Sequence, residues 1–547
     1  MTHDQTLLHQ VCNALGLTNG DVQNLETLQT AARWALADES CELKVYEVVA
    51  LQPVLATLKE KETKFFIPPK SLSIDKGALM PVEKEELIWD VSGIKKRLED
   101  LRNIQPEKLL TALEFHASTL AVNETYNDLS LFDFIKMTTG IATCLQKSEK
   151  LRLAGGSISG IQTYLYDIVS KNTAKLLKGR SFYLQLLADS LLEELLQEFD
   201  LSPCNVVYAS GGGFFVLLPD VPDIETRFRE FSKEIAGQIY ERHNTALFAE
   251  LAITDAFDAA QPVNEIWDGL YKKLDTLKFQ RLNGNDKLME YFFAEAVEVG
   301  GIRERDPVTS EEMEEEEKVT HYGVKMLKTT KKQIELGKNL RSAKFWAIGK
   351  NGNSKAFKDP FGTFHYLVEE ESEIPRNAFS RTFNQPNAAS PFTFYGGHDF
   401  PMFEKDEIDE ARQEYHYKGE VKPFDYLVGD DPLKRLAILR MDVDGLGAIF
   451  SKGIAKIPEN RYQINFTRYA AVSRSLDFFF KGYLNTLQKE YPCTIIIYSG
   501  GDDLFIAGKW NEVLALAQDI HKAFDQCYAD IGCRHFERCS LASSPLQ

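Results

Sequence analysis

Two distant segments of the chain carry the same pattern. One runs Pro203-Cys204-Asn205-Val206-Val207-Tyr208-Ala209-Ser210-Gly211-Gly212-Gly213-Phe214-Phe215. The other runs Pro492-Cys493-Thr494-Ile495-Ile496-Ile497-Tyr498-Ser499-Gly500-Gly501-Asp502-Asp503-Leu504. Each has an apolar, β-rich run, a Ser-Gly-Gly turn and a second apolar run, which is the signature of a β-hairpin. A single Gly-Gly hairpin is weak information, because Gly and Asp are common turn residues. A repeated one with matching flanks says that the chain contains the same supersecondary unit twice.

Upstream the match continues. Gly156-Ser157-Ile158-Ser159-Gly160 precedes Ser210 by 53 residues, counted from Ser157, and Met441-Asp442-Val443-Asp444-Gly445 precedes Ser499 by 57, counted from Asp442. Helical stretches lie between the anchors. In the second copy Phe466, Tyr469, Ser473, Leu476, Phe480, Tyr483 and Leu487 step by three and four, one face of a helix. In the first, Leu176, Phe182, Leu186, Leu192 and Leu196 occupy a similar stretch. An amphipathic helix follows each hairpin, through Ile224, Phe228, Phe231, Ile235 and Ile239 in one and Trp510, Val513, Ala517, Ile520 and Phe524 in the other. Strand, helices, hairpin, helix is the order of a ferredoxin-like palm, an antiparallel sheet with helices on one face. The expected class is α+β, with two palms at 126–297 and 426–547. A mostly helical N-terminal domain covers 1–125, and a mixed, loop-rich insertion around Pro375, Pro386, Pro391 and Gly396-Gly397 covers 298–425.

Composition narrows the function classes. The 547 residues carry a formal charge of −18, which argues against a surface that binds nucleic acid everywhere and leaves room for a local groove. The acidic run at 310–318 reads as a solvated helix start or linker. No apolar run is long enough to cross a bilayer and residues 1–20 lack a basic-then-apolar order, so the expectation is a soluble, cytoplasmic protein with no membrane partner. The eight cysteines form no CxxC pair, which speaks against a zinc ribbon or a disulfide framework.

The carboxylates sit in one copy only. Nucleotidyl transfer needs divalent cations, one to acidify the attacking hydroxyl and one to neutralise the leaving pyrophosphate. Mg²⁺ or Mn²⁺ prefers hard oxygen ligands. Residues 436–443 read as a buried strand with Asp442 and Asp444, two apart, on one side. Asp502 and Asp503 fall in the turn of the adjacent hairpin. Four carboxylates on buried strand ends are costly unless a cation compensates them. In the first copy Ser157 and Ser159 stand where Asp442 and Asp444 stand, and Gly213 and Phe214 where Asp502 and Asp503 stand. The first palm thus lacks the candidate metal ligands but can cradle a nucleotide with hydroxyls, glycines and backbone N–H groups.

At these residues the chain resembles a known family. The run from Ile438 through Asp442, Asp444 and Gly447 to Phe450, together with Ser499-Gly500-Gly501-Asp502-Asp503, is similar to the large, polymerase-like subunit of type III CRISPR effector complexes. So are Ile158–Gln162, Lys178-Gly179-Arg180-Ser181-Phe182, Leu336-Gly337-Lys338-Asn339-Leu340-Arg341 and Ser473-Arg474. The resemblance implies a protein held in a complex with other CRISPR subunits and guide RNA, switched on by target RNA, that joins ATP molecules into (cyclic) oligoadenylate messengers for antiviral defence. It implies Asp442, Asp502 and Asp503 as metal ligands, with Asp444 close by. It implies backbone donors to a triphosphate at Gly445, Leu446 and Gly447, with Ser499, Gly500 and Gly501 beside them. Ser157, Ser159, Gly160, Gly211 and Gly212 would hold the second nucleotide.

Two departures matter. Many relatives begin with a metal-dependent HD nuclease. Here the only His-Asp pairs are His3-Asp4 and His398-Asp399, and Phe134 stands where the family's Ser-Leu-Tyr-Asp-His stretch has histidine. No DNase activity is expected. The C-terminus also reads as short for a final palm strand, with Ser540–Ser543 a faint candidate. Two other readings compete: a stand-alone GGDEF-like nucleotidyl cyclase, which the twin palm disfavours, and a silent scaffold subunit, which the carboxylates disfavour.

Overall fold

The fold is described from a computed structural model covering residues 3–55, 63–166, 173–281, 288–290, 293, 304–309, 311–321, 323–409, 414–428, 433, 435–443, 446, 450, 464–501 and 503–527. Near the N-terminus, helices His3–Ala14, Leu25–Leu36, Val91–Glu99 and Leu109–Ala117 are interrupted by extended segments and a two-residue strand pair, Phe65–Phe66 with Val82–Glu83. α1 (Leu131–Leu145) starts at Ser130, whose hydroxyl caps the Asp133 N–H, as an N-cap serine does.

The first palm contains β1 (Leu151–Ser159), α2 (Thr173–Glu198), β2 (Val206–Ser210), β3 (Gly213–Pro219), α3 (Ile224–His243), β4 (Phe248–Ile253) and α4 (Val263–Lys278). Its sheet order is β2-β3-β1-β4, every neighbour antiparallel. This is the ferredoxin-like arrangement expected from the repeat. The five apolar positions of α3, from Ile224 to Ile239, are all buried. Each contributes roughly 1.5–3 kcal/mol of transfer free energy, an upper estimate because unfolded chains are partly compact.

The second palm repeats the order. β5 (Leu436–Met441) leads to α6 (Phe466–Asp477), a π-helical turn at Phe478–Tyr483 and a helical end at Leu484–Gln488. Then come β6 (Thr494–Gly500), β7 (Asp503–Lys509) and α7 (Trp510–Cys527). The sheet order β5-β7-β6 matches β1-β3-β2. The candidate strand at 540–543 lies outside the described residues.

Between the palms, the segment expected to be loop-rich is more regular than that. α5 (Lys328–Leu340) is followed by a five-stranded sheet built on Phe345–Gly349, Phe364–Val368 and Phe379–Phe383, with two-residue strands at its edges. The acidic run is neither helix nor linker throughout. Glu315–Glu317 form one exposed 3₁₀ turn leading into a strand at Lys318.

α5 crosses α2 with backbones in contact. A Cβ on Gly179 would lie 1.9 Å from the Gln333 carbonyl, and one on Gly337 2.0 Å from that of Lys175. Only glycine fits at both positions. Around this crossing Lys178, fully buried, donates to the Gly397 carbonyl, and Phe182 packs edge-on against Trp346 and Tyr395. The insertion is thereby fixed to the first palm, and its Gly396 reaches the second: a Cβ there would lie 2.5 Å from that of Ser499.

Candidate nucleotide and metal site

The two hairpins are built alike to the residue. Each carries a one-residue bulge, between Val206 and Tyr208 in the first and between Ile496 and Tyr498 in the second. Pairing then resumes as Tyr208 with Phe215 and Tyr498 with Phe505. The closing pairs are Ser210 with Gly213 and Gly500 with Asp503. This corrects the sequence alignment by one residue. Ser210 corresponds to Gly500, Gly211 to Gly501, and Gly212 and Gly213, not Gly213 and Phe214, correspond to Asp502 and Asp503. The shared Ser-Gly-Gly string misled because hairpin register is set by the bulge and the turn. The first turn has φ of +60° at Gly211 and +81° at Gly212, the type I′ geometry of a two-residue hairpin.

The strand carrying Asp442 lies beside the hairpin. β5 pairs with β7 from Leu436 with Lys509 to Met441 with Leu504. Asp442 follows Met441 just past that last pair, and Asp503 precedes Leu504 and pairs with Gly500. Asp503 is therefore the first residue of β7 rather than a turn residue. Asp442 is exposed and Asp503 half-buried, so the expectation of carboxylates on buried strand ends is corrected. A strand end opens onto solvent, and the desolvation cost is smaller than for a core position. Burial still raises the Asp503 pKa, with Arg440 opposing the shift. Two hard oxygen donors on neighbouring strand ends, one destabilised as an anion, fit a divalent cation. Among the described residues no three His, Cys, Asp or Glu side chains come together as a metal site. Asp444, Gly445, Gly447 and Asp502 lie outside them.

The palms meet turn to turn. A Cβ on Gly501 would lie 3.0 Å from the Gly211 Cα. Beside this contact a cleft of about 180 Å³ is lined by Ser157, Gly211, Gly213, Tyr271 and Lys278 of the first palm and by Leu446 and Phe450 of the second. Its floor is an aromatic stack. Trp267 lies over Tyr469 at 4.0 Å and 2°, with Phe450 on the same plane at 5.4 Å. The cleft thus brings together the hydroxyls and glycines of the first palm and the segment following Asp442. Ser159 and Gly160 have structural partners at its side: Ser159 donates to Glu250 at 2.7 Å, and Gly160, at φ +90°, would place a Cβ 2.3 Å from the Ala246 carbonyl. Ser499 points to the back of its hairpin, donating to the Phe480 carbonyl at 2.5 Å.

Sequence reading missed Lys278, Trp267 and Glu250. Glu250 sits opposite Ser157 in the β1–β4 register, is 4% exposed, and has one carboxylate oxygen without a hydrogen bond; burial raises its pKa. Nothing in sequence links β4 to β1 before the sheet order is known.

Fold and cleft define a protein of two palms, one with carboxylates on neighbouring strand ends and one without, joined at their glycine turns. Residues 150–294 match the model of Csm1 subunit domain B, and residues 435–542 that of the Cas10/Cmr2 second palm domain. The chain is 26% identical over 482 residues to the CRISPR system single-strand-specific deoxyribonuclease Cas10/Csm1 (subtype III-A) of Enterococcus italicus, covering 79% of this chain and 60% of that one. It is 25% identical over 516 residues to the Mycobacterium tuberculosis protein so named, covering 84% and 61%. The chain therefore spans about three fifths of the length of these relatives. Among solved structures it resembles the Csm1–Csm4 cassette in complex with one ATP (TM-score 0.69, 19% identity, 96% of this chain and 78% of that one). It also resembles the cassette in complex with cA4 (TM-score 0.66, 20% identity, 92% and 66%). Residues 150–294 and 435–542 thus match the Csm1 domain and the second palm domain of type III CRISPR large subunits, and the chain is similar to Cas10/Csm1 proteins over most of its length.

Proposed function

We propose that this chain is the large subunit of a type III-A effector complex and that its second palm joins ATP molecules into oligoadenylate when target RNA is bound. The observation that carries this reading is the pairing of Met441 with Leu504 at the end of the β5–β7 ladder, which sets the adjoining Asp442 and Asp503 on neighbouring strand ends, together with a cleft shared with a carboxylate-free twin. Asp442, Asp502 and Asp503, with Asp444 nearby, would hold Mg²⁺ or Mn²⁺, which when bound supplies charge neutralisation at the phosphates. Gly445, Leu446, Gly447, Ser499, Gly500 and Gly501 form the triphosphate side. Ser157, Ser159, Gly160, Gly211 and Gly212 form the side of the second nucleotide, whose 3′-hydroxyl would attack the α-phosphate of the first in line, forming the 3′-O–P bond as the bond to the leaving pyrophosphate breaks and the hydroxyl proton passes to solvent. Positioning carries the step, and no side-chain base is assigned. Lys278 adds positive charge to the cleft. The nucleotide-bound relatives support ATP as substrate.

The partners in this reading are a Csm4-like subunit, the remaining subunits, guide RNA and target RNA. The chain is divided at 125, 297 and 425 as the sequence reading has it. No described helix is long and apolar enough to cross a membrane, and the cytoplasm is the assigned location. The relatives are named deoxyribonucleases. We assign no DNase to this chain, because Phe134 is buried and Asp133 is engaged by Arg474 at 2.6 Å. A stand-alone cyclase has no observation in its favour. Titration of the assembled complex with a non-hydrolysable ATP analogue tests the reading: two nucleotides per large subunit are expected, and one or none contradicts it.

A further inference from the structure

The helix between the strands of the second palm touches both glycine turns. At its end Asp477 accepts a hydrogen bond from Ser210 Oγ at 2.7 Å, across 267 residues of sequence. Lys481, one turn on and 8% exposed, pairs with the same carboxylate at 2.9 Å. Between them, inside the π-helical turn, the Phe480 carbonyl accepts from Ser499 Oγ. Ser210 leads directly into Gly211, and Ser499 into Gly500 and Gly501. One stretch of five residues, 477–481, therefore grips the serine before each turn. π-Turns inside helices occur often at functional sites.

Packing does not hold the first turn on this side. A cavity of about 220 Å³ lies against Ala209–Phe214 and is walled on its far side by Gln185, Arg474, Asp477 and Lys481. The Ser210–Asp477 hydrogen bond spans that gap. With Lys481 8% and Asp477 23% exposed, the ion pair is partly desolvated, and such a pair adds little net stability. It is a good way to fix one backbone relative to another.

We propose that Asp477, braced by Lys481, is a positioning residue that sets the spacing of the two glycine turns and so brings the nucleotide on the first palm into line with the one at the carboxylates. This rests on the nucleotide-joining reading of the cleft. A displacement of about 1 Å at reacting groups can lower a rate by about 100-fold. Loss of the clasp therefore acts on joining and leaves nucleotide affinity alone.

The test uses the assembled complex with Ser210→Ala, Asp477→Asn, Asp477→Ala and the Ser210→Ala/Asp477→Ala pair. Three quantities are measured: ATP-analogue affinity, the single-turnover joining rate, and hydrogen exchange of the 211–213 amides. Expected are affinities within about twofold of wild type and joining slowed about 10–100-fold in Asp477→Ala. The double variant should be no slower than the worse single, as for two ends of one hydrogen bond. Amide exchange at 211–213 should be faster in each variant, and Asp477→Asn, which keeps an acceptor for Ser210, should retain the most activity. Additive losses, or a fall in affinity matching the fall in rate, would overturn the proposal. If the wild type joins no nucleotides, the functional reading fails on its own, and the exchange data decide: unchanged protection at 211–213 in all variants overturns the clasp.

Discussion

The two palms share strand order, the position of a bulge and the helix after the hairpin, and they differ in what stands at the turn. Gly211-Gly212-Gly213 occupies in one the place of Gly501-Asp502-Asp503 in the other, and Ser157 that of Asp442. The bulge, the closing pair and a positive φ at the first turn residue, +60° at Gly211 and +66° at Gly501, survive the exchange, and glycine meets that positive φ without strain. Charge does not survive it. The comparison separates two things that a palm supplies. One is a scaffold of hydroxyls and backbone donors at a fixed distance, and the other is a set of carboxylates that attracts cations. Only the second is confined to one copy.

The largest effect should come from removing that difference. Asp503→Ala is expected to lower nucleotide joining about 1,000-fold or more, the several kcal/mol that a metal supplies, with the fold intact by circular dichroism. Next is a shared structural pair. Arg468 and Asp128 are both fully buried and paired, so Arg468→Ala strands a carboxylate and should cost about 3–5 kcal/mol; a fall in Tm of several degrees checks this. Lys178 gives a smaller, pH-dependent effect. Burial depresses its pKa to about 7 from 10.5. Between those values the unfolded chain binds more protons than the folded one, so Lys178 makes stability rise with pH from about 7 towards 10.5 and adds nothing to the slope above that. Denaturant midpoints across this window should climb less steeply in Lys178→Met. The smallest effect belongs to the palm without carboxylates: Ser157→Ala should raise KM for ATP and change kcat less than about fivefold, the signature of lost binding. A loss in Ser157→Ala as deep as in Asp503→Ala would erase the distinction between the palms.

Much of this architecture was readable from periodicity. The α3 positions Ile224, Phe228, Phe231, Ile235 and Ile239 are buried as a helical stripe should be, and both hairpins fold around their Ser-Gly-Gly strings. The failures have physical causes. Matching letters aligns the repeat on Ser-Gly-Gly, whereas the register follows the bulge at Val207 and Ile497. The inserted sheet is not legible in the sequence because its strands run two to five residues, too short for a period to stand out, and lie among Pro and Gly. Periodicity predicts one buried face for α6, through Phe466, Tyr469, Ser473 and Leu476, yet Thr467, Arg468, Ala471 and Val472 off that face are buried as well. A helix enclosed on several sides has no solvent face to display. Its polar residues find partners hundreds of positions away, at Asp128, Asp133 and Ser210, and such pairs leave no local trace. Gly179 and Gly337 are required by a helix crossing that nothing local in the sequence displays.

The most direct test of the central claim is the product made from ATP. The chain is assembled with its partner subunits and guide RNA, given matching target RNA, Mg²⁺ or Mn²⁺ and labelled ATP, and the products are resolved by mass spectrometry beside the Asp502→Ala/Asp503→Ala variant. Oligoadenylate that depends on target RNA and vanishes in the variant is the predicted result. A stable complex that consumes no ATP with either metal would contradict a catalytic second palm and leave this chain a scaffold.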